Sequence, residues 1–187
     1  MTTTRSGSAV FSSRTAWWII LGAVTLVSTL GFACATPFAA LAAVAAVNLS
    51  RRDAVLLMGA SWLINQAVGF TMLHYPHNWD CYRGGLELGL AAFACVEASV
   101  RVNRRLRAPQ SFLALTATFA ASFVVYEGLL YAVSGQSYAA DFSWPIVRYI
   151  LVLNALAFAV LLVMQKIASA TGMVASRANN LIAPSAR

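Results

Sequence analysis

Apolar runs occupy most of the chain, at about 16–35, 37–49, 54–73, 85–101, 110–133 and 145–168, with short polar segments between them. A hydrocarbon core about 30 Å thick takes roughly 20 apolar residues of helix, so the runs read as membrane helices. The stretch 16–49 is the one ambiguous case. As a single helix it would be about 51 Å long, well beyond the bilayer core, and Pro37 would interrupt it. Two helices fit better, the second of them short for a span and therefore tilted or extended by its flanks. The pattern predicts an all-α integral membrane protein: a polar tail at 1–15, a six-helix transmembrane domain at 16–170, and a small, polar tail at 171–187.

Composition supports the bilayer as solvent. Sixty per cent of the 187 residues are hydrophobic and 10% are charged, too much apolar surface for one water-soluble core to hide. The 13 Lys and Arg give a net charge of +7, but they cluster between apolar runs instead of forming a basic patch interleaved with aromatics. This argues against nucleic acid as a partner and for topology signals. Six spans with a cytoplasmic N-terminus put all of them inside except Arg83 and Arg148, and both termini are then cytoplasmic. A secretory signal ending at Ala33-Cys34-Ala35 is the alternative reading of the first run, and it leaves the orientation of the later spans unchanged.

In this topology the polar segment His74–Gly85, HYPHNWDCYRGG, faces the periplasm. Asn65, Gln66, Glu87, Tyr126, Glu127, Arg148 and Tyr149 lie in the outer half of the spans and can line a cavity beneath the loops; polar groups at membrane depth are functional by default. The alternative is interhelical hydrogen bonding. His74, His77, Asp80 and Cys81 are metal-ligand residue types, with the Cys81 thiolate the softest donor. A Cys34–Cys81 disulfide is a further possibility at an oxidising face. Cys95 reads as a small buried residue. Ala39/Ala43 and Ala42/Ala46, with Gly85/Gly89, have the small-xxx-small spacing that lets helices approach closely, within the bundle or against a partner.

Six short spans, an alanine-rich segment near the N-terminus and a polar outer pocket under loops resemble the substrate-binding S components of energy-coupling-factor vitamin transporters. ATPFAALAA, WLINQAVGF and the single cysteine of NWDCYRGG are similar to the cobalamin-specific solitary S components of proteobacteria, the BtuM type. The resemblance covers 16–168 and implies inner-membrane uptake of cobalamin, with Cys81 as axial ligand to the corrin cobalt. It also implies removal of cyanide from cyanocobalamin by the same thiolate. A corrin already fills four equatorial positions, so one soft axial donor is enough. Arg83 would favour the thiolate, and Tyr75, His77, Asp80 and Tyr82 would clasp the ligand. Asn65, Tyr126 and Arg148 are added from their expected depth. No intrinsic cofactor is implied; cobalamin is the bound substrate. The partners are the lipid bilayer and either no coupling protein or a shared energy-coupling module. The small-xxx-small pairs lie in the second run and not clearly in the first, a departure that bears on docking to such a module. No Walker motif is present.

Two other readings compete: a transition-metal ion importer using His74, His77, Asp80 and Cys81, and a structural membrane protein without a small ligand. The charge partition makes its own prediction. Reporter fusions after Arg52 and Arg107 should read cytoplasmic and a fusion at His77 periplasmic; a periplasmic signal after Arg52 overturns the six-span order.

Overall fold

A computed structural model describes residues 13–106, 111–134 and 142–170. The described residues form six α-helices and no strand: α1 (Ser13–Phe32), α2 (Phe38–Asn48), α3 (Arg51–Thr71), α4 (Trp79–Leu106), α5 (Phe112–Ser134) and α6 (Trp144–Ala170). A single 3-10 turn, Ala33–Ala35, separates α1 from α2. Most of both expected tails, 1–12 and 171–187, lies outside the described residues.

The helices follow the apolar runs except in α4, which extends well beyond its run of 85–101 at both ends. Its N-terminal extension is set by Asn78, whose side-chain oxygen accepts the backbone N–H of Cys81 at 2.9 Å. An Asn at this position satisfies one of the donors that a helix start leaves free. Helix therefore begins inside the polar segment expected to be loop, and only the residues before Trp79 connect α3 to α4.

Length and hydropathy suit four helices to crossing a membrane: α1 from Thr15, α3, α5, and α6 as far as Ala168. α4 is long enough but carries charge along its length, including Glu87 and Glu97. α2 differs from both kinds. Its 11 residues reach about 17 Å, roughly half of a 30 Å hydrocarbon core. Every residue from Phe38 to Val47 is at most 5% exposed, as expected for a helix apolar on all sides. It is neither a tilted span nor a lengthened one, but an internal helix enclosed by α1, α3, α4, α5 and α6. The small-xxx-small pairs of α2 serve this packing, and none of them faces outward.

Ending a helix and starting another within the bundle exposes backbone groups that lipid cannot satisfy. Side chains from neighbouring helices supply the partners. Ala33 takes a left-handed backbone, φ 53°, uncommon for a residue with a Cβ. Its carbonyl accepts from Asn65 Nδ2 at 3.2 Å and from Thr36 Oγ1 at 3.2 Å. Asn65 Nδ2 also lies 2.8 Å from Thr36 Oγ1. In the first turn of α2, the Ala40 N–H donates to Asn154 Oδ1 of α6 at 3.3 Å. At the other end, the Ala46 carbonyl accepts from Asn103 Nδ2 of α4 at 3.1 Å. Polar side chains thus hold the buried helix at both termini.

The contacts also fix direction. Thr25 meets Ser61 at 3.0 Å and Thr29 meets Asn65 at 3.4 Å, so α1 and α3 run parallel. Asn154 meets Ala40, and Asn48 donates to Gln165 at 3.3 Å, so α2 and α6 also run parallel. The start of α1 and the end of α6 therefore share a pole with Arg51, Arg52, Arg101, Arg104 and Arg105. There Glu97 bridges Arg51 at 2.6 Å and Arg101 at 3.3 Å. The opposite pole carries the α3–α4 connection and the exposed Trp79 and Trp144, an arrangement suited to a membrane interface.

Asn65→Ala leaves the Ala33 carbonyl short of a partner and removes the tie between α3 and the turn. We expect a loss of about 1–3 kcal/mol in a denaturant titration in detergent. Asn48→Ala, at a partly buried site, should cost under about 1 kcal/mol; equal losses would show that the turn network has no special weight.

Candidate functional site

The α1–α2 turn does not reach the end of the bundle. It meets α3 at Asn65, six residues before Thr71, which places it about 9 Å below the end of that helix. A cavity of about 550 Å³ lies above it. Ala35 forms part of the floor, Gln66 stands on the α3 side, and Tyr75 and Phe142 come from the connecting segments. α4 contributes Asp80, Cys81, Gly84, Gly85 and Leu88, whose spacing places them on one helical face, together with Glu87. α5 contributes Tyr126, Glu127, Leu130 and Ser134, and α6 contributes Ile146, Tyr149 and Ile150.

Close α3–α4 packing fixes the wall that carries Cys81. A Cβ on Gly89 would come within 2.8 Å of the Trp62 indole, and one on Gly85 would run into the Gln66 amide oxygen. The absent side chains let α4 lie against α3. Trp62 Nε1 then donates to the Gly85 carbonyl at 2.8 Å, so the glycine pair serves contact within the bundle.

Four of the nine expected site residues line the cavity: Tyr75, Asp80, Cys81 and Tyr126. Cys81 is half-buried and carries a free thiol. Tyr75 packs edge-on against Phe70 and is tied to α3 by its backbone N–H, which donates to the Gly69 carbonyl at 3.0 Å. The other five lie elsewhere. His77 Nδ1 and the Tyr82 hydroxyl are 2.9 Å apart on the exposed surface, where both rings flank Phe70. Arg83 Nε donates to Glu87 Oε1 at 2.9 Å, so its guanidinium pairs with a carboxylate within its own helix. Asn65 is fully buried in the turn network, and Arg148 is exposed on α6.

Of the seven polar residues expected at this depth, Gln66, Glu87, Tyr126, Glu127 and Tyr149 do line the cavity. The apolar lining from α5 and α6 was not anticipated, because which face of a uniformly apolar helix turns inward depends on its neighbours. Three carboxylates, Asp80, Glu87 and Glu127, border the cavity, and no Lys, Arg or His does so among the described residues. Glu127 Oε1 is shielded from solvent without a hydrogen-bond partner, an arrangement that costs about 1–3 kcal/mol or more.

His74, His77, Asp80 and Cys81 do not converge. Among the described residues no three His, Cys, Asp or Glu side chains are placed to hold a metal ion. Helical geometry carries Asp80 and Cys81 on α4, while exposed His74 sits in a left-handed turn, φ 55°, and His77 turns to Tyr82. The Cys34 side chain lies outside those described. Cys95 is fully buried, with Sγ donating to the Ser122 carbonyl at 3.3 Å.

The chain matches no protein-family model, and no curated protein and no solved structure is similar to it.

Thiol accessibility tests the site directly. In a Cys34→Ser background, a water-soluble maleimide should modify Cys81 at least about a hundredfold faster than Cys95, which reacts only when the bundle opens. Comparable native labelling of the two would contradict the burial described here.

Proposed function

We propose that the chain takes up cobalamin across a bacterial inner membrane, binding the corrin in the cavity with Cys81 as axial ligand to cobalt. The observation that carries this reading is a half-buried free thiol, Cys81, on the wall of a small-molecule cavity, with no group of three ligands for a bare ion among the described residues. A metal recognised there has to arrive with its other positions already filled. A corrin does so, leaving only axial sites open, and a thiolate is a suitable soft donor. The volume, about 550 Å³, falls within the usual range of about 300–1,000 Å³ for small-molecule sites. Tyr75 and Tyr149 supply flat surfaces at the rim, and Asp80 supplies an acceptor.

The pole bearing the arginine cluster faces the cytoplasm in this proposal, consistent with the positive-inside rule. Five helices then cross the membrane, α2 returns the chain within the bundle interior, and both termini lie inside. The cavity opens to the periplasm. With cyanocobalamin as ligand, the Cys81 sulfur donates its lone pair to cobalt and cyanide leaves with the electron pair of the Co–C bond. This is a ligand exchange with no change in oxidation state.

The test is the visible spectrum of purified protein incubated with cobalamin. Wild type should show a shifted corrin band, and Cys81→Ser, a harder and far less acidic donor, should lose both the shift and at least about tenfold in affinity. Cys34→Ser and Cys95→Ser should retain both. Normal binding and an unchanged spectrum in the Cys81 variant would remove the thiolate from the mechanism, and absence of any corrin binding by wild type would remove cobalamin.

A further inference from the structure

Glu127 lies on the α5 wall of the cavity, and its Oε1 is shielded from solvent without a hydrogen-bond partner among the described residues. The other two carboxylates differ. Glu87 is paired with Arg83 at 2.9 Å, and Asp80 is exposed near the cavity mouth. Gln66 is also committed in one direction: its Nε2 donates to Asn65 Oδ1 at 3.0 Å, while its amide oxygen abuts Gly85 on the cavity wall. Glu127 Oε1 and the Gln66 amide oxygen, the one on α5 and the other on α3, are both acceptors. Next to Glu127 a ligand N–H is favoured over a ligand carboxylate, which would meet like charge in a largely apolar enclosure.

Resting on the cobalamin reading, we propose that Glu127 is a specificity-determining residue that accepts an N–H from one primary amide on the rim of the corrin. Cys81 fixes the metal from α4, and Glu127 fixes the rotation of the ring about that bond from α5. Two attachments on different helices define one orientation; an axial bond alone leaves the ring free to turn.

The probes are cobalamin and the set of its monocarboxylic derivatives, each with one rim amide hydrolysed, tested on the full chain in detergent. Wild type should bind one of these positional isomers at least about tenfold more weakly than cobalamin, through like-charge repulsion, and the others nearly as well. Glu127→Gln offers an N–H to the carboxylate, so the penalty for that isomer should shrink to about threefold or less. Glu127→Asp keeps the charge at shorter reach; it should bind cobalamin more weakly and still reject the same isomer. It decides the question if the Gln variant does not fold. Equal binding of all isomers by wild type, an undiminished penalty in Glu127→Gln, or unaltered cobalamin affinity in Glu127→Asp overturns the assignment of Glu127 while cobalamin binding itself stands. Failure of wild type to bind any of these corrinoids overturns the cobalamin reading and this inference with it.

Discussion

The hydrogen bonds that Asn65 makes to the Ala33–Ala35 turn are the constraint on which the rest of the arrangement depends. A helix break inside an apolar bundle is tolerated only where its backbone groups find partners. Asn65 provides two donors from a third helix, and Thr36 completes the set. Once the turn is held at that depth, α2 must start below the end of the bundle, and its neighbours must close around an element too short to reach both ends. The space above the turn is the cavity. A local solution to backbone hydrogen bonding thus decides where a ligand can sit.

α2 accounts for the packing of the remaining helices. Its six alanines present little side-chain bulk, so α3, α4, α5 and α6 can approach its backbone closely. Where those helices turn outward they carry exposed Leu, Val, Ile and Phe, as at Leu63, Phe93, Val124 and Val160, the surface expected against lipid acyl chains. The α4 wall is set separately, by Gly85 and Gly89 lying against Gln66 and Trp62. Cys81 stands one turn before Gly85 and inherits its position from that contact.

The helices were legible in the sequence because apolar runs of spanning length have few alternative explanations, and the interruption at Pro37 was visible as a break. The role of the second run was not. An alanine-rich stretch reads the same whether it is tilted across lipid or sealed inside a bundle, and only its enclosure by five neighbours separates the two. The site was legible in part. Cys81, Asp80 and Tyr75 stand out as chemically versatile residues beside apolar runs. The helix start at Asn78 then determined which of their neighbours face inward, so that His77 and Tyr82 turn to Phe70 while Gly84, Gly85 and Leu88 face the cavity. Asn65 is legible as a polar residue within an apolar run, and it is buried in the bundle. Its partner is backbone 32 residues away, a relation that no local pattern encodes.

The half-length of α2 has a consequence for permeation. Beneath the cavity floor the axis of the molecule is filled by some 17 Å of helix whose side chains are sealed from solvent on every side. The cavity is thus closed below, at α2, by packed side chains and not by solvent. The same alanine packing that holds the bundle together therefore also insulates it. Any opening from the cavity to the opposite pole along this axis would have to break the contacts of α2 with its five neighbours.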